Sequence, residues 1–362
     1  MKTSVTSACA VTLSAAAAMA GGIERTPQSA ALLFEPGNAV QLSYGSAAPA
    51  VDGTFPPNGA SSGDMAPTYG TLTFGVKMAV TDRVDLALIY DQSVGADVDY
   101  SDADATYPLR GTKAELTGSD ITALLRYRLA DRVSVFGGVR LQGIEAQLSG
   151  LSLAGNAYGL DVDRNHEAGY VIGAAYEIPD IALRVALTYN SEIEHEFAAT
   201  ETLNGTPIGA TPFTTTIPQS VNLEFQSGIA EDTLLFGSIR WQDWSEFDIT
   251  PVAYNGLTGR SLINYESDYV TYSLGLGRRL NERWSGAVTL THEPANGDIQ
   301  GNLAPRDGYT AIGIGATYRI DRTEIGLGLR YVWLGDATTQ TIGAEFEDNE
   351  VLGVGLRLTQ RF

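Results

Sequence analysis

The C-terminal end of the chain alternates apolar residues with polar or small residues at a period of two. Leu352, Val354, Leu356 and Leu358 share one parity with the terminal Phe362, whereas glycine, arginine and threonine occupy the other parity. A period of two is typical of a β-strand whose two faces meet different surroundings. An apolar face opposite a small or polar face is typical of the strands of outer-membrane barrels.

The same alternation recurs along the chain and is interrupted by six short polar turns. Leu86, Leu88 and Tyr90 follow one turn at outward parity, and Leu327 and Leu329 follow another. Consecutive turns are 39 to 52 residues apart, which is long enough for two strands and one longer connection. The turns are residues 81–83, 130–132, 178–180, 230–232, 281–283 and 320–322.

Seven longer connections, rich in Gly, Pro, Asp, Asn and Ser, alternate with these turns. Twelve strands flank the six turns, and one further strand at each end brings the total to fourteen. We therefore predict the all-β class and a 14-stranded antiparallel transmembrane β-barrel, with the short turns and both termini on the periplasmic side. The connections are residues 45–67, 101–111, 150–165, 200–211, 251–262, 294–306 and 335–349.

The first twenty residues have the pattern of a secretory signal peptide. Lys2 precedes a small and apolar run that ends in the A-x-A-like motif Ala18-Met19-Ala20. We predict that residues 1–20 are removed and that the mature chain, located in the bacterial outer membrane, begins at Gly21. Cys9, the only cysteine, lies within this signal, so the mature chain has no thiol for a disulfide or a cysteine-based metal site.

Residues 21–37 precede the first strand and contain apolar residues that join no outward row. These residues are Ile23, Leu32, Leu33 and Phe34. A barrel of fourteen strands has a lumen wide enough to need filling, because the diameter grows with the number of strands. We therefore interpret residues 21–37 as a short hatch, or plug, in the lumen of a barrel formed by residues 38–362. A flexible periplasmic leader is the alternative.

Acidic residues dominate the charge of the chain. Without Lys2, 22 Lys and Arg stand against 43 Asp and Glu, a net charge of −21. This balance argues against nucleic acid as a partner and favours acidic outer loops that contact lipopolysaccharide through divalent cations. Residues 161–167 place alternate oxygens as a calcium loop does, but they lack the glycine and the distal glutamate of that motif. We expect no metal site and no cofactor.

The sequence does not indicate an enzyme. Its three histidines, His166, His195 and His292, fall near the outer end of the predicted barrel, where contact with solvent is the expected environment. The Gly-x-Ser-x-Gly elbow of serine hydrolases is absent from the sequence. Trp241 and Trp244 fall at the end of a strand, where anchoring at the membrane interface is sufficient to explain them. A role near the rim of the ligand pocket is the alternative.

Several arginines fall on the inward parity of the predicted strands. They are Arg126, Arg128, Arg140, Arg184, Arg240, Arg330 and Arg357. An arginine in the lumen can bind a carboxylate with two parallel hydrogen bonds. The candidate contacts for a substrate carboxylate are Arg140, Arg184, Arg240 and Arg330. The alternative is structural, since inward arginines also neutralise inward acids such as Asp85, Asp120 and Glu224, or tie the hatch to the wall.

The organisation of essentially the whole mature chain resembles a known family, and three motifs carry the resemblance most clearly. The motifs Pro218-Gln219-Ser220-Val221, Gly228-Ile229-Ala230 and Arg240-Trp241-Gln242-Asp243-Trp244-Ser245-Glu246-Phe247 are similar to those of the FadL/TodX group of outer-membrane transporters. The resemblance implies a monomeric barrel with an amino-terminal hatch. Independently of the resemblance, the aromatic Phe362 at the end of the last strand is the kind of signal that the barrel assembly machinery recognises.

The resemblance further implies passive uptake of long-chain fatty acids or related hydrophobic molecules. The molecule would be captured at the outer side, bound above the hatch and released sideways through a kink in the third strand. Ser93, Val94, Gly95 and Ala96 are the candidate lateral gate, because a glycine inside a strand often marks a bulge or gap. Relief of packing is the alternative role of Gly95. The alternative functions are a general diffusion porin and a structural outer-membrane protein.

Overall fold

The computed structural model describes residues 22–210 and 212–362, and most of these residues lie in antiparallel strands. Fourteen strands form the wall of a closed barrel. The predicted signal peptide, residues 1–20, lies outside the described residues. The strands are β1 (Ala39–Ala50), β2 (Tyr69–Ala79), β3 (Val84–Asp91), β4 (Lys113–Arg128), β5 (Val133–Leu153), β6 (Asn156–Ile178), β7 (Leu183–Asn190), β8 (Ser220–Ala230), β9 (Thr233–Gln242), β10 (Tyr269–Arg279), β11 (Trp284–Glu293), β12 (Tyr309–Ile320), β13 (Thr323–Leu334) and β14 (Glu350–Arg361).

Each strand pairs with its neighbours in the sequence, and the first strand pairs with the last. Tyr44 of β1 lies opposite Leu72 of β2 on one side and opposite Leu356 of β14 on the other. Closure pairs the first and last strands, so neither is left as a free edge strand, which a membrane requires because lipid cannot hydrogen-bond a free backbone. The predicted fold class, an all-β barrel of fourteen antiparallel strands, is confirmed.

The alternation of residues along each strand separates the two faces of the wall. Leu327 and Leu329 of β13 point outward and are 60 % and 50 % exposed, whereas Gly326 and Gly328, which alternate with them, are buried in the interior. Exposed leucine, isoleucine and valine continue this outward band around the barrel. All six predicted short turns join neighbouring strands at one end, here called the short-turn end. The opposite end, with the longer connections, is the long-loop end.

The prediction of a long loop at residues 150–165 is wrong. Strands β5 and β6 extend through this region and are joined by a tight turn at Ala154 and Gly155, both of which have positive φ. Residues 161–167, which resemble a calcium loop in sequence, therefore lie within β6. The two strands project past the band that faces lipid. The ladder between them therefore continues where the outward rows of apolar residues have ended.

The remaining elements are short and lie mostly in the connections. No helix of the described residues is long and apolar enough to cross a membrane. The single α-helix among them, α1, spans Val252–Thr258, and 3-10 turns span Ala31–Phe34, Pro179–Ile181 and Trp244–Glu246. The short strands are Thr54–Phe55, Ala60–Ser61, Gly95–Asp99, Ile193–Phe197, Ala199–Leu203, Thr206–Ala210, Phe213–Ile217, Asp248–Ile249, Ile263–Asn264, Ala337–Thr338 and Glu345–Phe346.

The N-terminal segment, residues 22–37, runs through the interior of the barrel. Ile23 and Leu33 are fully buried, and side chains from the inner wall contact the segment along its length. For example, Ser29 donates a hydrogen bond to Glu224 of β8, and Lys77 of β2 donates one to the Gly37 carbonyl. These contacts bring the segment from the long-loop half of the lumen down to the start of β1.

Candidate functional site

A small apolar cavity of about 50 Å³ lies in the long-loop half of the barrel. Its wall is formed by the short strand Gly95–Asp99, by strands β4 to β6 and by the connections that fold over the lumen. Carbon atoms make up nearly all of its surface, as in the pockets that bind hydrophobic ligands. Its apolar lining residues are Ile23, Ala96, Val98, Ala114, Leu116, Ile144, Ala146, Leu148, Leu160, Val162, Phe197, Phe213, Ile217, Phe247, Ile249, Leu262, Ile263, Leu303 and Ala304.

A buried glutamate holds two of the covering connections together. Glu201 is 1 % exposed, and its carboxylate accepts hydrogen bonds from the Tyr158 hydroxyl and from the backbone N–H groups of Ala253 and Tyr254 at the start of α1. Burial and the neighbouring carboxylate raise the pKa of Tyr158. The cover of the cavity is therefore tied to the wall at β6.

Trp244 supports the N-terminal segment where that segment forms the floor of the cavity. Gly22 adopts a positive φ of 62°, and a Cβ atom there would lie 2.7 Å from the indole ring of Trp244. Trp244 is 1 % exposed and packs edge-on against Phe247 and Tyr265. The expectation that Trp244 anchors the barrel at the membrane interface is therefore wrong, because the chain turns inward after β9 and buries the ring.

Ion pairs surround the N-terminal segment directly below the cavity. Glu24 accepts two hydrogen bonds from Arg240 of β9, at 3.1 Å from Nε and 2.5 Å from Nη2. Arg25 pairs with Asp97, in the short strand that continues β3. Arg306 lies 3.4 Å from the Glu293 carboxylate and donates a hydrogen bond to the Gly22 carbonyl. The floor therefore carries a layer of charges that the protein pairs internally.

Strand β3 is interrupted beside the cavity, at residues 92–94, here called the β3 break. Pairing between β2 and β3 stops at Phe74 and Tyr90, and the continuation Gly95–Asp99 pairs with β4 but not with β2. Gln92 partly fills the gap, since its side-chain oxygen accepts a hydrogen bond from the Leu72 N–H at 2.7 Å. The wall thus lacks a regular ladder between β2 and the continuation of β3.

The N-terminal segment covers the inner side of the β3 break. Arg25 donates its backbone N–H to the Ser93 carbonyl at 2.7 Å, and Gly95 donates to the Ile23 carbonyl at 2.9 Å. A Cβ atom at Gly95 would lie 2.5 Å from the Arg25 guanidinium, so a side chain at this position would displace that guanidinium. Of the candidate gate residues, Ser93, Val94 and Gly95 are buried, and Ala96 lines the apolar cavity.

A second and larger cavity, of about 640 Å³, occupies the lumen towards the short-turn end. Leu32 and Phe34 line this cavity and do not line the apolar cavity. Leu33 packs with Leu124 and Phe136 in a buried cluster that also includes Leu32 and contacts Phe34. The four apolar residues predicted together for ligand contact are thus divided, because only Ile23 reaches the apolar cavity.

The inward arginines contact protein groups. Arg140 is buried and donates to Gln28 at 2.8 Å, to Asn190 at 2.9 Å and to Thr122 at 3.2 Å. Arg184 lies 4.7 Å from the centre of the Phe34 ring. Arg128 pairs with Asp85 at 2.6 Å, and Lys77 pairs with the same carboxylate at 2.7 Å. Neutralisation of inward acids and attachment of the N-terminal segment account for these contacts.

Arg330 differs from these arginines. Its guanidinium lies 5.6 Å from the centre of the Tyr309 ring, and its Nη2 atom is buried without a hydrogen-bond partner. The residue lines the larger lumen cavity and not the apolar cavity. Arg140, Arg184, Arg240 and Arg330 therefore do not form one cluster around the apolar cavity.

His195 lies in the hairpin formed by Ile193–Phe197 and Phe213–Ile217, which covers the cavity. The residue is fully buried, and its ring nitrogens lie 2.8 Å from Asn165 Oδ1 and 3.1 Å from Gln142 Oε1. The expectation of a solvent-exposed His195 is wrong, because this hairpin folds back over the lumen. Burial lowers the pKa of His195 to about 4.

The sequence contains few signals that locate the apolar cavity. Phe197, Phe213, Phe247 and Ile249 lie in connections, where alternation does not predict which residues point inward. Their clustering in regions otherwise rich in Gly, Pro and Asp is the signal that was available. Within residues 22–210 and 212–362, no group of three or more His, Cys, Asp or Glu residues is placed to hold a metal ion.

Comparisons with known proteins agree with this architecture. The model of the family described as outer membrane protein transport protein (OMPP1/FadL/TodX) matches residues 10–359. No curated protein matches the chain at the sequence level. Among solved structures, a FadL homologue from Pseudomonas aeruginosa superimposes with a TM-score of 0.72 at 14 % identity and 93 % coverage of both chains.

Two toluene transporters have similar folds. TodX from Pseudomonas putida superimposes with a TM-score of 0.68 at 13 % identity, over 97 % of both chains. TbuX from Ralstonia pickettii superimposes with a TM-score of 0.62 at 13 % identity, over 96 % of this chain and 97 % of TbuX. At these identities the structures establish a shared fold.

Proposed function

The chain belongs to the outer-membrane transport protein family that includes OMPP1, FadL and TodX, and we propose that it takes up long-chain fatty acids or related hydrophobic molecules passively. The family consists of outer-membrane transport proteins, so the chain is an outer-membrane barrel that transports hydrophobic compounds. The molecule binds in the apolar cavity and leaves sideways through the wall at the β3 break. The long loops face outward, and both termini face the periplasm.

The position of the apolar cavity beside the β3 break carries this proposal. Ala96 belongs to both features, since it follows the break and lines the cavity. Ile23 forms the floor of the cavity and also accepts the Gly95 N–H at the break. A ligand in the cavity is therefore one side chain away from the interruption in the wall.

Lateral exit also fits the physical chemistry of the cargo. Each methylene group in water is less favourable by about 0.8 kcal/mol than in an apolar environment. The larger lumen cavity towards the short-turn end is lined by charged residues such as Asp85, Arg126 and Glu177. A hydrophobic molecule that leaves through the wall into lipid avoids this polar path.

The N-terminal segment acts as a hatch in this proposal. It contacts the wall through the Glu24–Arg240 pair and through Ser29 and Gln28. A filled lumen favours selective transport over general diffusion. The buried apolar cluster around Leu33 is typical of a packed interior and not of a water-filled pore. We also propose that the chain has no enzymatic activity.

The remaining partners follow from the surface. The outward apolar band contacts membrane lipid, and the acidic long loops contact lipopolysaccharide through divalent cations. Phe362 is 60 % exposed at the end of the wall, where the barrel assembly machinery can bind it as a signal. We propose that the barrel acts as a monomer.

Uptake by whole cells tests the proposed function. Cells that lack their own transporter should accumulate labelled toluene or a labelled long-chain fatty acid when they carry this chain. Ala146→Phe should reduce this uptake, because Ala146 lines the apolar cavity and a larger ring fills it. The matched control is Ala157→Phe, at an exposed position of the neighbouring strand.

The folded barrel is verified at the cell surface for each variant. Uptake equal to the empty-vector background for both probes, with the barrel folded, would contradict the proposed function. Equal uptake by the two phenylalanine variants would remove the apolar cavity from the route.

A further inference from the structure

The apolar cavity contains one buried hydroxyl group that has no partner. Thr215 lines the cavity, is 3 % exposed and lies opposite His195 in the hairpin. Its Oγ1 atom makes no hydrogen bond with the protein. A buried polar atom without a hydrogen-bond partner is unfavourable. A ligand in the cavity can supply that partner.

The other polar residues at the cavity wall do not compete with Thr215. Glu115 of β4 and Gln147 of β5 line the cavity, but both residues are exposed. Side chains along these two strands point alternately to the inside and the outside. The remaining lining residues are apolar. Thr215 is therefore the buried polar side chain that a ligand in the cavity meets.

Arginines near the floor of the cavity already have carboxylate partners. Arg240 pairs with Glu24, Arg25 with Asp97 and Arg306 with Glu293. Among the described residues, no Lys or Arg lines the cavity itself. An anionic ligand would therefore bury its charge without a free cation, next to carboxylates that repel it.

We propose that the apolar cavity binds an uncharged hydrophobic molecule that bears one hydroxyl or carbonyl group, and that Thr215 is its hydrogen-bond partner. The inference rests on the proposed uptake function and narrows its cargo to uncharged compounds. The apolar part of the ligand contacts the carbon-lined wall, and its polar group pairs with Thr215 Oγ1. Ligands with an ionised carboxylate are excluded, because the neighbouring arginines already form ion pairs with Glu24, Asp97 and Glu293.

Binding of three probes with one ring size tests this inference. Toluene, benzyl alcohol and benzoate differ in one substituent, and their equilibrium binding is measured on the full chain in lipid nanodiscs. The readout is the affinity of benzyl alcohol divided by that of toluene, so that differences in water solubility cancel between protein variants. Thr215→Val should lower this ratio by roughly tenfold, which corresponds to 1.4 kcal/mol.

Two variants control for structural effects. Thr215→Ser keeps the hydroxyl and should keep the ratio. Thr317→Val removes another buried hydroxyl without a partner, from β12 outside the cavity, and should also keep the ratio. Benzoate should show no saturable binding to the unmodified protein.

Three outcomes would overturn the inference. They are an unchanged ratio in Thr215→Val, saturable binding of benzoate as tight as that of benzyl alcohol, and no saturable binding of benzyl alcohol. The uptake assay is separate, so any of these outcomes with uptake intact rejects the inference alone. Loss of uptake for every hydrophobic probe rejects the proposed function.

Discussion

Consecutive residues of one strand meet lipid and lumen in this barrel. On β13, the Leu327 side chain is 60 % exposed on the outer face, and Gly328 lies on the inner face between Gly315 and Gly355. Those two partners have no side chains, so the inner wall has room at this point. A charge is therefore tolerated very differently at two adjacent positions.

Arginine substitutions at these two positions test the assignment of faces. Leu327→Arg should lower the free energy of unfolding in lipid vesicles by about 2–4 kcal/mol, because the charge is placed near the middle of the bilayer. Gly328→Arg should not carry this lipid penalty, since its guanidinium extends into the lumen. Denaturant titration with refolding measures both values, and equal losses would contradict the assignment.

His195 links the cover of the apolar cavity to pH. The folded state holds its pKa at about 4, whereas an unfolded histidine titrates near 6.5. Between these pH values an unfolded hairpin binds more protons at His195 than the folded hairpin does. The stability of the folded hairpin should therefore fall as the pH falls from about 6.5 to about 4. His166 and Glu167 are the titratable neighbours of the ring.

Hydrogen exchange measures this effect. Protection factors of amides in Ile193–Phe197 and Phe213–Ile217, corrected for intrinsic exchange, should be lower at pH 4.5 than at pH 7. His195→Gln has no group that titrates in this range and should show a smaller difference. The same loss of protection in both proteins would assign it to other groups.

At the scale of elements, the β3 break and the N-terminal segment form one unit. Arg25 contacts the break with its backbone, pairs with Asp97 through its guanidinium and lies 4.3 Å from the centre of the Tyr69 ring. Alternation could predict the third strand and its glycine. It could not predict that a segment seventy residues earlier would lie against that glycine, because this contact depends on the closed barrel.

A large residue at Gly95 should close the proposed lateral route. Gly95→Trp places its ring where the Arg25 guanidinium now lies, so uptake of toluene should fall to near the background. Gly277→Trp is the matched control, because Gly277 faces the lumen on β10, away from the break, with its nearest side-chain neighbour 3.6 Å from a Cβ atom. Unchanged uptake by a folded Gly95→Trp barrel would move the exit elsewhere.

At the scale of the whole molecule, the N-terminal segment fills part of the lumen. Its ion pair at Glu24 and its buried Leu33 lie at different depths, so the segment fills the barrel over a considerable length. The larger lumen cavity of about 640 Å³ remains beside it towards the short-turn end. Removal of the segment would join the two halves of the lumen.

Single-channel recording tests this property. The unmodified barrel should conduct few ions in a planar bilayer, and a variant that lacks residues 22–37 should conduct many more, because the polar inner wall is then open to water. Glu224→Gln, which changes one contact of the segment at Ser29, should remain close to the unmodified protein. High conductance of the unmodified barrel would favour the general diffusion porin.

The sequence by itself determined the number of wall strands and the faces that they turn to lipid. Alternation is a local property, since the side chains of a strand point to opposite sides at every second residue, and the lipid imposes the same apolar requirement on every strand. Leu327 and Gly328 can therefore be assigned without coordinates.

Tertiary structure alone decided the apolar cavity, the partners of the inward arginines and the burial of Trp244 and His195. These features depend on connections that fold back over the lumen, where no periodic pattern constrains a side chain. Glu24 and Arg240 are 216 residues apart in the chain, and they meet only because the barrel closes around the N-terminal segment.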